Sequence, residues 1–432
     1  MKVLVIGSGG REHALVWALK RNSARPVKLF CAPGNAGIAE LARCIPVSAT
    51  DAKGLTAFCE REDIALTMVG PEVPLAAGIV DEFEARGMRI VGPGRAAARL
   101  EGSKAFAKEF MSRHQIPTAR YRIASSRDEA EIILASGEFG DANAPVVVKA
   151  DGLAAGKGVV VARSRSEAQQ AVDDLMTGAD GGSRILIEET LVGREASLLL
   201  FSDGRDFRLM PAARDHKRIG ENDTGPNTGG MGTITDPGVL DQATLDVAIK
   251  RIIEPTLQGA RADGYPFRGI LFIGLMLTSD GPQVLEYNVR FGDPETQAIL
   301  VRLESDLVEV FEGICDQRLA ELEVKWSNQS SACIVLAAAG YPGKAETGAR
   351  IDGLEQARQH DNVALFHAAT SRAGDGSWTT AGGRVLGVTA TGATLETALS
   401  RAYAAVDEIH WEGMQYRRDI GRPEAPQAAS GS

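Results

Sequence analysis

The 432 residues carry 47 Lys+Arg against 57 Asp+Glu, a formal net charge of −10. Nucleic-acid binders normally hold a basic surplus, so this balance argues against a phosphate-backbone interface while leaving room for a small anion held by a local donor cluster. Hydrophobic residues at 44% and charged residues at 24% exclude disorder of the whole chain, and the length suggests two to four domains.

In chain order, the first hundred residues alternate short apolar strands with amphipathic helices. Strands are expected at Lys2–Ile6, Val27–Cys31, Ile64–Val69 and Arg89–Val91, and helices at Arg11–Arg21, Asp51–Glu62 and Pro74–Arg86. This alternation predicts a doubly wound parallel sheet. Four loops, Gly7–Gly10, Pro33–Asn35, Gly70–Glu72 and Gly92–Gly94, follow the strands and should line one crevice beyond their carboxyl ends. The first loop is not G-x-G-x-x-G, because Glu12 takes the third glycine position, which disfavours a dinucleotide. It is either a tight turn or a site for another phosphorylated ligand.

Ser103–Gln115 reads as a helix capped by Ser103. Residues 124–192 then look like a small α+β subdomain, with strands at Pro145–Ala150, Val159–Ala162 and Arg184–Glu188 and a helix at Ser166–Met176. Between two of its strands lies Asp151–Gly158. This is no P-loop, since it leads into a strand and has Gly158 where Ser or Thr is required. It is either an ordinary glycine-rich turn or, the reading favoured here, a glycine hairpin closing over phosphates, with Gly152, Gly156, Lys157 and Gly158 as its contacts. Lys149 precedes it and could reach phosphates as a point charge. Ile185–Glu189 is an apolar strand ending in two carboxylates, either a plain strand end or the wall of a nucleotide pocket.

A hairpin is expected from Gly269–Leu277 and Gln283–Val289. Glu286, Asn288 and Arg290 then share one strand face, and a carboxylate beside an amide oxygen suits Mg²⁺. The charged run Arg214–Arg218 and the glycine-rich stretch Asp223–Gly232 could together bind an anion, although each alone is usually a solvated or mobile segment. A β-rich section follows residue 327, ending in a helix at Thr394–Ile409 and a polar tail from about residue 423 expected to be disordered. The longest apolar run, Ala332–Ala339, is too short to span a membrane. Five cysteines without C-x-x-C suit a reducing, cytoplasmic compartment. None sits in a context that suggests a nucleophile, and no Cys/His cluster has zinc spacing. The histidines, His216 included, receive no catalytic role.

The motifs resemble those of the phosphoribosylamine–glycine ligase (glycinamide ribonucleotide synthetase) family of ATP-grasp enzymes. They are Gly7–Ala14, Pro33–Gly37, Val69–Glu72, Leu100–Lys104, Lys149–Gly158, Asp215–Arg218, Asp223–Gly232, Arg290–Gln297, Gly382–Leu386 and Arg418–Gly421, in that order. The resemblance runs from residue 1 to about 421. It implies an α/β and α+β architecture: an N-terminal substrate-binding domain (1–103), an ATP-grasp core (104–123 and 193–326), a mobile lid (124–192) and a C-terminal domain (327–432). It implies ATP-dependent ligation of glycine to 5-phosphoribosylamine through a glycyl phosphate, in purine synthesis, with ATP and Mg²⁺, or Mn²⁺ as an alternative, as cofactors. It implies Glu286 and Asn288 as metal ligands, and Lys104, Lys149, Glu188, Glu189 and Glu195 as ATP contacts beneath the glycine lid. Arg290 and Lys217 would neutralise charge at the acyl phosphate. Gly9, Gly10, Asn35 and Glu72 would hold phosphoribosylamine, and Asp215 the glycine ammonium. Small molecules are the expected partners, with no nucleic acid or membrane, a monomeric chain and no fused second enzyme. Arg214 and Arg194 depart from the family pattern, where Gln and an acidic residue are usual. Rival readings are another ATP-grasp ligase such as a carboxylase component, a nicotinamide oxidoreductase disfavoured by the missing glycine, and a non-catalytic nucleotide-binding protein disfavoured by the intact metal pair.

Overall fold

The computed structural model describes residues 1–153, 158–177 and 184–422. The N-terminal strands form a wholly parallel five-stranded sheet in the order Arg43–Cys44, Lys28–Pro33, Lys2–Gly7, Leu66–Val69, Ile90–Val91. Its first three glycine loops meet at one end. Gly34 N–H donates to the Gly7 carbonyl at 3.0 Å, and Gly70 N–H to the Ile6 carbonyl at 2.9 Å. The expected helix Pro74–Arg86 is broken into Glu72–Ala77 and Ile79–Glu84. Gly78 divides them at φ 88°, a left-handed conformation that glycine adopts without strain, and a Cβ there would meet the Arg95 guanidinium.

The expected hairpin forms from Arg268–Thr278 and Gly281–Asn288. Glu286 stands opposite Gly274 and Asn288 opposite Phe272, with an irregularity beside Gly274. A Cβ at Gly274 would stand 3.2 Å from Glu286 Cγ, so the missing side chain leaves room for the carboxylate. The hairpin is the edge of a large antiparallel sheet. Arg194–Asp203, Ala213–Asp215 and Gly232–Thr235 follow it, and Ser330–Ala337, Arg384–Gly392 and Val363–His367 continue it. The core and the C-terminal region therefore share one sheet, joined by pairing of Gly232–Thr235 with Ser330–Ala337. The expected C-terminal helix spans Leu395–Val406, capped by Thr394.

The 124–192 block carries its own antiparallel sheet, which begins slightly before it: Tyr121–Ala124, Ile185–Glu189, Val146–Ala150, Val159–Ala162, over a separate apolar cluster that includes Val148, Ala168, Val172 and Ile187. The stretch Asp223–Gly232 is no single open loop. Thr224–Asn227 pairs with Arg218–Gly220 as a short ribbon. No described helix is long and apolar enough to cross a membrane.

Candidate active site

A cleft lies between the core hairpin, the helix Lys104–Arg113 and the 124–192 block. It is lined by Lys104, Lys108, Lys149, Gly152, Gly158, Glu188, Glu286, Asn288, Arg290, Glu72 and Glu101, over an apolar floor of Leu100, Met111 and Leu285. Helical periodicity puts Lys104, Lys108 and Met111 on one face. Ser103 accepts from Phe106 N–H and fixes the helix start, as the sequence predicts. Lys104 Nζ donates to the Gly152 carbonyl at 2.8 Å, and Ser103 Oγ to Asp151 Oδ1 at 2.9 Å. These bonds tie the mouth of the glycine loop to the helix. Gly156 and Lys157 lie outside the described residues.

Glu188 is buried between two lysines. Its Oε2 stands 3.0 Å from Lys149 Nζ and 2.9 Å from Lys108 Nζ, while Oε1 has no hydrogen-bond partner among the described residues. Burial lowers Lys108 to about 8 against the pull of Glu188, and burial also lowers Lys104. Glu189 is not part of this group. Its carboxylate accepts from Arg120 N–H at 2.8 Å and from Arg120 Nε at 2.7 Å, and it does not line the cleft.

Across the cleft, Lys217 Nζ lies 3.1 Å from Glu195 and 3.8 Å from Glu286. Burial alone would push the Glu286 carboxyl up. Lys217, Lys149, Lys104 and Arg290 outweigh it and hold the group below the usual carboxylate value. Glu195 foremost, then Glu286 and Asp215, raises the Lys217 ammonium against the opposing effect of burial. Arg290 reaches Glu101 at 3.0 Å and Glu72 at 3.3 Å, and its Nη2 donates to Asn288 Oδ1 at 3.1 Å. Burial disfavours its charge, but Glu101 and Glu72 reverse the effect and raise it. Among the described residues, no three His, Cys, Asp or Glu side chains cluster as a metal cage. Glu286 and Asn288 instead offer two hard oxygens on one face. That suits an ion which completes its shell with water and phosphate, as Mg²⁺ does.

The N-terminal loops form an adjoining group, linked to the cleft through Glu72. Glu12 explains the departure from a dinucleotide motif. Its Oε2 accepts from Gly9 N–H at 2.6 Å and Oε1 from Arg11 Nε at 2.6 Å, so a carboxylate already occupies that helix end. A Cβ at Gly70 would stand 1.9 Å from Glu12 Oε1, which leaves glycine as the residue that fits. Gly9 and Gly10 face Asp293 and Gln297 respectively. Asn35 is a brace between regions. Its Nδ2 points at the Ser8, His367 and Ala368 carbonyls at 2.7–3.1 Å, and its Oδ1 accepts from Ile38 N–H at 2.8 Å. Asp215 sits beside Thr233 and Gly230, where burial, then Glu295, pushes its carboxyl well up; burial raises Glu295 as well.

The sequence reading did not single out Glu101, Lys108, Glu295 or Arg384. The i, i+4 spacing of Lys104 and Lys108, which puts both on one helix face, was an available signal for one of them. Arg384 donates to the Asp293 carbonyl at 2.7 Å and to Asp293 Oδ2 at 2.9 Å, and also to the Gly229 carbonyl. Arg214 does not share the Asp215 face. It donates to the Arg422 carbonyl at 2.8 Å. Arg194 reaches toward the Gly238 carbonyl, at 3.5 Å.

Three consecutive matches cover most of the chain: the phosphoribosylglycinamide synthetase N domain over residues 1–101, its ATP-grasp (A) domain over 102–296 and its C domain over 331–423. The chain belongs to the phosphoribosylglycinamide synthetase family. Relatives named phosphoribosylamine–glycine ligase include those of Xanthomonas axonopodis pv. citri and Brucella melitensis. Each is 47% identical, over 427 and 425 residues, covering 98% of this chain and 97% of the relative. Among solved structures, the phosphoribosylamine–glycine ligase of Thermotoga maritima superposes with a TM-score of 0.83 at 34% identity, covering 97% of this chain and all of that one. A biotin carboxylase domain from Hydrogenobacter thermophilus reaches 0.70 at 18% identity, covering 96% of this chain and 91% of that one, a likeness of fold alone. As a phosphoribosylglycinamide synthetase family member, the chain is an ATP-grasp ligase of small molecules that uses ATP and a divalent metal.

Proposed function

We propose that the cleft joins glycine to 5-phosphoribosylamine at the expense of ATP, giving glycinamide ribonucleotide, ADP and phosphate for purine synthesis. The observation that carries this reading is the convergence of Lys104, Lys149, Lys217 and Arg290 on Glu286, with Asn288 beside it on the same strand. Phosphoryl transfer asks mainly for positioning and charge neutralisation, so no Ser, Cys or His nucleophile is required. Lys104, Lys149, Glu188 and Glu195 bind or frame ATP. Glu286 and Asn288 hold Mg²⁺, with Mn²⁺ as the alternative; when bound, the ion neutralises phosphate charge.

Arg290 and Lys217 stabilise the γ-phosphoryl group as the glycine carboxylate takes it, which yields glycyl phosphate and ADP. The amine of phosphoribosylamine then attacks the acyl carbon, phosphate leaves and one amine proton is lost. Asp215, whose carboxyl is raised by burial and Glu295, regains its charge beside the glycine ammonium. Gly9, Gly10, Asn35 and Glu72 present phosphoribosylamine, with Asn35 also bracing the Gly7–Gly10 loop. We place the chain in the cytoplasm as a monomer. Five free cysteines, with the thiols of Cys31, Cys44, Cys59, Cys315 and Cys333 raised by burial, suit a reducing compartment.

ADP release on adding glycine and phosphoribosylamine together tests the reaction. Release with bicarbonate and biotin in their place, and not with the pair, would favour the carboxylase reading and contradict this one.

A further inference from the structure

The strand Ala213–Asp215 continues through His216 and Lys217 into Arg218–Gly220. Side chains of an extended segment alternate between faces. Lys217 faces the cleft, while Arg214 and His216 meet residues 416–422, which cross the opposite face. There Gly421 N–H donates to His216 Nε2 at 3.1 Å, and His216 Nδ1 donates to the Gly232 carbonyl at 3.1 Å. The pair of bonds fixes one neutral tautomer, and burial, with Arg214 and Arg417, holds this histidine down to about 4.

Arg417 is 2% exposed. Its Nε and Nη2 donate to the two Asp419 oxygens, both at 2.8 Å. Its Nη1 donates to the Arg218 carbonyl at 3.1 Å and to Asp223 Oδ1 at 2.7 Å. Asp419 Oδ2 also accepts from Asn222 N–H at 2.7 Å. The two chain neighbours of Lys217 are thus each tied to the C-terminal segment, one through Gly421 and one through Arg417, and neither tie touches Lys217. A buried ion pair is a weak source of stability compared with apolar packing, but it fixes geometry.

We infer that residues 417–421 are a strap that sets the position of the Lys217 ammonium, with Arg417 and Asp419 as positioning residues for phosphoryl transfer. The inference rests on the proposed role of Lys217. Its Nζ must stand near both Glu195 and Glu286, and misplacement of a reacting group by about 1 Å costs roughly 100-fold in rate. The bonds of Arg417, Asp419 and Gly421 on this side end on His216, Arg218, Asn222 and Asp223, so the strap's effect on Lys217 passes through the 216–223 backbone.

A double-mutant cycle in the full chain tests this, with Asp419→Asn and Lys217→Ala read by steady-state turnover, ATP-analogue affinity and thermal melting. Asp419→Asn is expected to lower kcat at least tenfold and to leave ATP-analogue affinity within twofold, at a temperature where melting shows the protein folded. In the Lys217→Ala background the same substitution should change kcat by less than twofold. Equal fold losses in both backgrounds would overturn the strap alone, as would a folded Asp419→Asn protein with parental kcat. Parental turnover of Lys217→Ala would overturn the reading of Lys217 and the strap with it. Should Asp419→Asn not fold, Arg417→Lys, which keeps the charge and loses the two-pronged contact, enters the same cycle with the same expectations.

Discussion

Arg290 shows how one side chain can join two chemistries. It faces Glu72 on the N-terminal domain and Glu101 at the end of the Arg95–Gly102 helix, and it donates to Asn288 on the hairpin. Removing Glu286 from this field leaves several cations without the carboxylate that orders them. Glu286→Ala should therefore lower kcat by about 3–4 kcal/mol of transition-state stabilisation, a factor of a few hundred. Asn288→Ala should cost less, because water replaces a neutral ligand. Turnover at saturating Mg²⁺ checks both, and near-parental rates for Glu286→Ala would remove the metal assignment. The motif residues were legible in sequence because strand alternation alone puts Glu286, Asn288 and Arg290 together. Glu101 was not, because its role depends on how the end of its helix packs against the hairpin. Strand alternation separates the two carboxylates of the Ile185–Glu189 strand: Glu189 meets Arg120 while Glu188 stays between Lys108 and Lys149.

At the scale of elements, the 124–192 block has its own sheet and its own apolar cluster. It meets the rest of the chain partly through polar ties at Gly152, Asp151 and Lys149, the last donating to the Leu285 carbonyl at 3.3 Å. Such ties exchange with ligand contacts more readily than a continuous core separates, so this block is expected to behave as a lid. Hydrogen exchange should slow across residues 124–192 when a non-hydrolysable ATP analogue binds, with little change in the Lys2–Gly7 and Lys28–Pro33 strands. Equal exchange in both states would count against the lid. The sequence located this block because its strands and helices are locally patterned. It did not locate the sheet shared by the core and the C-terminal region, since pairing of Gly232–Thr235 with Ser330–Ala337 joins segments about a hundred residues apart. The 417–421 strap was hidden for the same reason.

The C-terminal region meets both the N-terminal domain and the core, and buried histidines stand at both contacts. His13 accepts from His367 N–H at 2.8 Å where the N-terminal domain meets the C-terminal region, and burial holds it down to about 4. His216, at the strap, is held to about 4 as well. An unfolded histidine titrates near 6.5, so between about 4 and 6.5 the unfolded chain binds more protons and stability rises with pH. Each of these two groups should contribute about 3 kcal/mol above pH 6.5 that is lost as pH falls toward 4. Melting temperatures from pH 7 to 4 should fall steeply, and replacing His13 with Gln should flatten the profile; an unchanged slope would contradict the buried neutral form. On the proposed acyl-phosphate route, phosphate leaves with an oxygen that began on glycine. The most direct measurement is therefore a turnover with glycine labelled by ¹⁸O in both carboxylate oxygens. One label should appear in the released phosphate and the other in the product amide, and unlabelled phosphate from coupled turnover would contradict the account.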